Sequence, residues 1–355
     1  MAKQRVAASI GAPALIIYPP TARMVRFALC MAICMPFPLV AQQEPIHLIR
    51  PTHTYSIVAM DSATGQLGVA VQSHWFSVGS VVPWAEPGVG AVATQSFINP
   101  AYGPRGLYLM RTGTPAPDVL AALLRADPDS QVRQVAMIDA QGRVAAHTGS
   151  RNIPAAGQSL GRRYSVQANL MRNERVWAAM ARAFETSDGD LAERLLMALE
   201  AAESAGGDIR GRQSAALVVV SGDRSDAAWA RVFDLRVEDH ADPLAELRRL
   251  LTVARAYNAA TAGDDFLTAG HVDSALASYR LASELLPDSA TNGELIYWVA
   301  VTLTDLGRVE EAIPLFRRAF AQDDAWMELL GRLPGAGLLG ADQATLDRIL
   351  AEAAP

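Results

Sequence analysis

Alternating hydrophobic and polar positions predict short strands through the first two thirds of the chain. The first pair runs from His53 to Ser73, with apolar stretches on either side of a turn at 61–65 that reads Asp-Ser-Ala-Thr-Gly. The other predicted strands lie at 88–96, 134–139, 143–148, 164–169, 214–221 and 228–237.

Apolar residues spaced three and four apart predict helices between these strands. Two short helices are expected at 106–112 and 117–125, and two amphipathic ones at 174–184 and 191–205. The first amphipathic helix places Val176, Trp177, Met180 and Phe184 on one side. The order of strands, helices and further strands favours stacked sheets with helices packed outside, which is an α+β fold.

After Asp242-Pro243 the pattern becomes helical only, and it contains an internal repeat. Five small or aromatic positions recur 37 residues later (307 − 270 = 37). They are Gly270, Val272, Ala275, Tyr279 and Ala282, matched by Gly307, Val309, Ala312, Phe316 and Ala319. This spacing is typical of the tetratricopeptide helix–turn–helix, whose period is about 34, with an insertion around 288–290. A generic antiparallel helix pair is the alternative. Either structure predicts a surface for a protein partner or for self-association.

The N-terminal segment has the features of an export signal. Met24 is a candidate true start, followed by Arg26, an apolar run from Phe27 to Val40 and the small residue Ala41. The run is shorter than the ~20 residues that a resident membrane helix needs. We therefore expect a signal peptide at 1–41, a linker or propeptide at 42–52, and a periplasmic or secreted protein. A buried helix or an inner-membrane anchor is the alternative.

Composition narrows the class of protein. The chain has 355 residues and a net charge of −6, with no basic cluster, so nucleic acid is not an expected partner. Its two cysteines lie in the apolar N-terminal run. The motifs H-E-x-x-H and C-x-x-C do not occur, and we expect neither a cofactor nor a metal. The acid–histidine cluster at 238–242 is interpreted as a helix-entry network, with a metal site as the alternative.

Several blocks in a fixed order resemble one bacterial family, the domain of unknown function 1028. They are H-T-Y-S-I-V-A-M-D (53–61), V-V-P-W-A (81–85), G-V-G-A-V-A-T-Q (88–95), N-P-A-Y-G-P-R-G (99–106), G-G-D-I-R-G-R-Q-S-A-A-L (206–217) and D-P-L-A-E-L-R-R-L (242–250). The resemblance implies the four-layer αββα sandwich of the N-terminal nucleophile (Ntn) hydrolases, and it implies no substrate. The expected domains are this sandwich at 53–243, tetratricopeptide-like repeats at 244–325 and a helical tail at 326–355.

Thr54 is the candidate nucleophile. If the chain is cut before it, one residue carries a hydroxyl and a free α-amine that serves as its base. Ser56 lies two residues on, on the same side of the strand, and is a candidate for orienting Thr54; a structural serine is the alternative. Asn169 is a candidate oxyanion donor because side-chain amides serve in that role. A capping asparagine before the next helix is its alternative.

Candidate substrate-binding residues come from strand ends and from one loop. Ser73 and Gln95 end neighbouring strands. Asp208, Arg212 and Gln213 belong to a glycine-rich loop that suits a carboxylate or amide group of a substrate. A solvated loop is the alternative.

Two functions follow from these residues. The first is an exported amide hydrolase of Ntn type with Thr54 as nucleophile, acting on a small amide or a peptide. The second is a non-catalytic Ntn-like binding or scaffold protein whose helical repeats dock a partner.

Overall fold

The computed structural model describes Thr52 and residues 54–354. The expected signal peptide at 1–41 and all of the expected linker except Thr52 lie outside the described residues. Within residues 54–354 no helix combines the length and the apolar character that crossing a membrane requires.

The described residues form two antiparallel sheets. In chain order the strands are β1 (Thr54–Met60), β2 (Leu67–Ser73), β3 (Pro83–Glu86), β4 (Gly90–Ser96), β5 (Arg133–Asp139), β6 (Val144–Thr148), β7 (Gly157–Gly161), β8 (Tyr164–Ala168), β9 (Ser214–Val220) and β10 (Phe233–Val237). The six-stranded sheet has the order β10-β9-β2-β1-β8-β7, and the four-stranded sheet has the order β3-β4-β5-β6. The predicted α+β class is confirmed.

The helices divide into those that flank the sheets and those that follow them. They are α1 (Tyr102–Arg111), α2 (Ala116–Ala126), α3 (Val176–Thr186), α4 (Leu191–Ser204), α5 (Pro243–Thr268), α6 (Val272–Leu285), α7 (Glu294–Asp305), α8 (Val309–Phe320), α9 (Ala325–Arg332) and α10 (Gln343–Ala353). We call residues 54–242 the two-sheet region and residues 243–354 the helical region.

Alternation along the strands produces three apolar layers in the two-sheet region. The facing sides of the two sheets bury one set, including Val58 and Ala93. The outer side of the six-stranded sheet packs Ile57 and neighbouring apolar residues against α3 and α4. The outer side of the four-stranded sheet packs Val92 and neighbouring residues against α1 and α2. On α3, Val176, Met180 and Phe184 are buried and Trp177 packs beside them, as predicted.

One long helix joins the two regions. Asp242 caps α5 by accepting a hydrogen bond from the backbone N–H of Ala245, and Pro243 is its first residue. Leu244 and Leu247 of its first turns belong to the core under the six-stranded sheet. Ala256, further along, packs instead with residues of α6 and α7.

The helical region contains two helix–turn–helix units in the places that the repeat predicts. The turn before α6 has Gly270 at φ +79° and the turn before α8 has Gly307 at φ +75°, a conformation that glycine adopts without strain. A short 3₁₀ turn, Asp288–Thr291, lies between the units, where the insertion was expected. Their assignment as tetratricopeptide repeats stays a prediction.

Two strands were not predicted, and two predicted element boundaries were wrong. Strands β3 and β7 were missed because β3 starts at a proline and β7 reads Gly-Gln-Ser-Leu-Gly and is only half-buried. The strand predicted from 228 begins only at Phe233, and α1 begins at Tyr102 rather than at 106.

Candidate functional site

The layer between the two sheets is apolar along most of its length and polar at one end. On β1 the inward positions change from Val58 to Ser56 and then Thr54. The polar residues gathered at this end, all fully buried, are Thr54, Ser56, Ser73, Gln95, Gln134, Gln167 and Asn169. We call these seven residues the polar cluster. Every catalytic candidate named from the sequence lies in it, together with Ser73 and Gln95.

Gln134, at the start of β5, is the centre of the hydrogen bonding. Its Oε1 accepts from Gln95 Nε2 at 2.6 Å and from Asn169 Nδ2 at 2.8 Å. Its Nε2 donates to Thr148 Oγ1 at 2.9 Å and to the carbonyl oxygen of Ala168 at 2.9 Å. Both ends of this side chain are therefore satisfied, and they link the two sheets at the level of the polar cluster.

Ser56 is held on both sides. Its hydroxyl donates to Gln95 Oε1 at 2.6 Å and accepts from Gln167 Nε2 at 2.5 Å. Gln167 Oε1 accepts in turn from Ser165 Oγ at 3.0 Å. With its proton directed at an amide oxygen, Ser56 fixes the orientation of Gln95 beside Thr54.

Three amide donors converge on the carbonyl oxygen of Thr54. The backbone N–H of Asn169 donates at 3.1 Å, Gln95 Nε2 at 3.2 Å and Asn169 Nδ2 at 3.4 Å. The Thr54 hydroxyl contacts the carbonyl oxygen of Thr52 at 2.9 Å and Ser73 Oγ at 3.3 Å. Asn169 thus lies next to the candidate nucleophile. Its alternative role as a helix cap is wrong, because α3 starts at Val176.

The outer face of β1 ties the same strand to a helix. Tyr55 is fully buried, and its hydroxyl donates to Glu203 Oε2 of α4 at 2.8 Å. Burial raises the pKa of Tyr55 well above its usual range, and the neighbouring Glu203 carboxylate raises it further. Tyr55 therefore stays neutral at any physiological pH and anchors the strand beside Thr54.

Two strained backbone positions lie directly next to the polar cluster. Ser96 directly follows Gln95 with φ +69°, and Leu170 directly follows Asn169 with φ +57°. Neither is a glycine, and such conformations persist where the surrounding structure enforces them, often at functional sites. Ser96 is fully buried, and its Oγ has no hydrogen-bond partner.

The loop between α4 and β9 borders the cluster through its backbone. Gln213 donates its N–H to the carbonyl oxygen of Ser73 at 3.1 Å. Asp208 is buried, and its carboxylate accepts from the backbone N–H of His74 at 3.3 Å and pairs with Arg210 at 2.6 Å. Both residues hold the end of β2 in position.

Arg212 lies in the same loop but faces other carboxylates of the protein. Its guanidinium is 3.6 Å from Glu203 and 3.1 Å from Asp242. Both of these contacts join the loop to the helices, and none of the contacts described for Arg212 is with the polar cluster. Arg212 and Asp208 are thus placed as supports of the loop.

The acid–histidine cluster at 238–242 joins a strand exit to α5. His240 donates its N–H to the carbonyl oxygen of Gln213 at 2.8 Å, and its Nδ1 accepts from the N–H of Asp242 at 3.0 Å. Over residues 54–354 no three histidine, cysteine or acidic side chains are grouped so as to hold a metal ion.

Gln134, Gln167 and Ser96 were not predicted as site residues from the sequence. Gln134 precedes Ala136 and Ile138 on the inward side of β5. A fully buried strand that presents glutamine at an inward position was the available signal, since buried polar side chains require partners.

The chain belongs to the family of unknown function DUF1028, whose model matches residues 54–247. The match covers the two-sheet region and the first turn of α5, and it begins at Thr54.

One solved structure extends the comparison. The chain is similar to the crystal structure of the protein SPO2555 from Silicibacter pomeroyi, a DUF1028 protein, with 31% sequence identity and a TM-score of 0.52. The likeness covers 57% of this chain and 89% of the other. No curated protein matches the chain.

Proposed function

We propose that the protein is an exported Ntn-type hydrolase that cleaves an amide bond with Thr54 as nucleophile. The observation that carries the proposal is the position of Thr54, whose hydroxyl and carbonyl lie in a buried cluster of oriented amides. Two facing sheets with helices on both outer sides are in keeping with the class. The family model also begins at this residue.

Exposure of the α-amine requires a cut between His53 and Thr54. In the self-catalysed route, Thr54 Oγ1 attacks the carbonyl carbon of residue 53. The C–N bond breaks as an ester forms, and the hydroxyl proton passes to the released α-amine. Water then hydrolyses the ester, which leaves a carboxylate on residue 53 and restores the hydroxyl.

The same atoms then act on a substrate. The α-amine takes the hydroxyl proton as Oγ1 attacks the scissile carbonyl, and it passes that proton to the leaving amine. Water hydrolyses the resulting ester and releases the acid. An α-amine ordinarily titrates near ~7.7–8.0, which suits a base at neutral pH.

Burial explains why the cut matters. Thr54 is fully buried in the uncut chain, so an external substrate cannot contact its hydroxyl. A chain that keeps its N-terminal segment supports the alternative, a non-catalytic module whose helical region docks a partner. Whether the peptide bond between His53 and Thr54 is cut or intact therefore distinguishes the two functions.

Substitution of the nucleophile tests the proposal. Exported protein is assayed against a panel of fluorogenic aminoacyl and peptidyl amides. Thr54→Ala is expected to lose activity at least ~1000-fold, whereas Thr54→Ser, which keeps a hydroxyl, retains part of it. Thr186→Ala, at an exposed threonine that ends α3, is the matched control and keeps full activity. Undiminished hydrolysis by a folded Thr54→Ala protein contradicts the proposal.

A further inference from the structure

Thr52 pairs with the end of β4 in the manner of an added strand. Its N–H donates to the carbonyl oxygen of Ser96 at 2.7 Å, and its carbonyl oxygen accepts from the N–H of Ser96 at 3.0 Å. Two residues that exchange both bonds form the hydrogen-bonded pair of an antiparallel ladder. Thr52 is only 3% exposed, so its side chain is packed as well.

Ser96 depends on this pairing. Thr52 is the partner of both its backbone N–H and its carbonyl oxygen, and its φ of +69° is strained for a residue with a side chain. If the chain is cut before Thr54 and the preceding residues leave, both backbone groups lose that partner. Buried backbone groups without partners are costly, so a ligand that supplies an N–H and a carbonyl there is favoured.

The chemistry relates Thr52 to a substrate. Thr54 Oγ1 attacks the carbonyl of residue 53 during processing, and it attacks the scissile carbonyl of a substrate during turnover. The residues before the cut are therefore on the acyl side, as the acyl part of a substrate is. Thr52 corresponds to the second residue counted back from the scissile bond.

We propose that the substrate is an extended peptide whose second residue before the scissile bond pairs with the backbone of Ser96 in place of Thr52. The inference rests on the function proposed above and adds the class of substrate. Backbone pairing alone does not select a side chain, but the buried space around Thr52 favours a residue of threonine size. Acylated single amino acids lack this second residue and are expected to be poor substrates.

Three fluorogenic peptides test the pairing on the exported, processed protein. The parent peptide copies residues 49–53, Ile-Arg-Pro-Thr-His, with a coumarin amide in place of Thr54. The second peptide replaces the Pro–Thr amide by an ester, which removes the N–H that would bond Ser96. The third carries its ester at the Ile–Arg bond instead and is the matched control.

We expect the Pro–Thr ester to lower kcat/KM about 5- to 10-fold and the control ester to lower it less than about 2-fold, from the typical net strength of one hydrogen bond. Ser96→Gly keeps both backbone groups and adopts a positive φ without strain, so it preserves this discrimination. Equal turnover of all three peptides overturns the pairing and leaves the hydrolase standing. Hydrolysis of small acyl amides without release of coumarin from any of the three peptides likewise overturns the pairing and leaves the hydrolase standing. Hydrolysis of no amide at all overturns both proposals.

Discussion

Replacement of Gln134 by leucine tests whether the polar cluster is a single hydrogen-bonded unit. Gln134 makes four bonds of 2.6–2.9 Å that connect both sheets, and leucine has a similar volume without any polar atom. The change removes the shortest described bonds of the Gln95 and Asn169 amide nitrogens, whose bonds to the Thr54 carbonyl are longer, at 3.2 and 3.4 Å. It also removes the donor to Thr148 Oγ1 and to the carbonyl oxygen of Ala168.

The magnitude follows from the number of groups that lose a partner. A buried polar group left unsatisfied costs about 1–3 kcal/mol. Four groups lose a short bond here, but the two amide nitrogens and Thr148 Oγ1 keep other bonds, so the cost is below the full sum. We therefore expect Gln134→Leu to lower the free energy of unfolding by about 2–4 kcal/mol. The orientation of Asn169 is lost with it, so any hydrolysis falls more than stability alone explains.

Urea titration followed by far-UV circular dichroism measures the loss as a lower midpoint at constant slope. Gln158→Leu is the matched control, because Gln158 lies on the half-buried edge strand β7 and makes two hydrogen bonds. Its Oε1 accepts from Thr148 Oγ1, and its Nε2 donates to the carbonyl oxygen of Ala146. It should lose no more than about 1 kcal/mol. A Gln134→Leu protein within ~0.5 kcal/mol of the parent refutes a connected cluster.

Two further predictions concern stability. Burial acts to raise the pKa of Glu193, but hydrogen bonds from two arginines of α5 outweigh it, and the pKa is lowered. That ion pairing stabilises the fold above the unfolded pKa of ~4.3 and is lost as pH falls through the lower folded pKa. Glu193→Gln should therefore lower the free energy of unfolding by up to about 1 kcal/mol at pH 7 and by little at pH 3. Equal losses of stability at the two pH values contradict a stabilising role for the ion pairs. Gly103→Ala places a Cβ 2.3 Å from the Trp84 ring and should lower the free energy of unfolding by about 1–3 kcal/mol. Gly331→Ala on α9, where a Cβ would meet no atom within 4 Å, should raise it by up to ~1 kcal/mol, as measured by thermal unfolding. A neutral Gly103→Ala contradicts the packing.

Local sequence patterns predicted the parts of the fold that depend on local interactions. The turn at 61–65, the apolar face of α3 and the start of α5 each follow from neighbouring residues, and each is observed. Strands β3 and β7 were missed because their stability comes from pairing with β4 and β8 rather than from their own residues.

The polar cluster was predicted only in part, for a related reason. Alternation on β1 places Thr54 and Ser56 on one side, so their proximity is a local property. Gln134 and Gln167 join them across two sheets, through contacts between residues far apart in sequence. No periodicity within one strand indicates which strand of another sheet lies opposite it.

The bond between His53 and Thr54 decides the central claim. The intact mass and N-terminal sequence of protein exported by a bacterial host measure its state directly. An Ntn-type hydrolase with Thr54 as nucleophile predicts a mature chain that begins at Thr54. It also predicts that Thr54→Ala protein, if cleavage is self-catalysed, keeps the preceding residues. A mature chain that begins at Gln42 and stays intact contradicts the hydrolase.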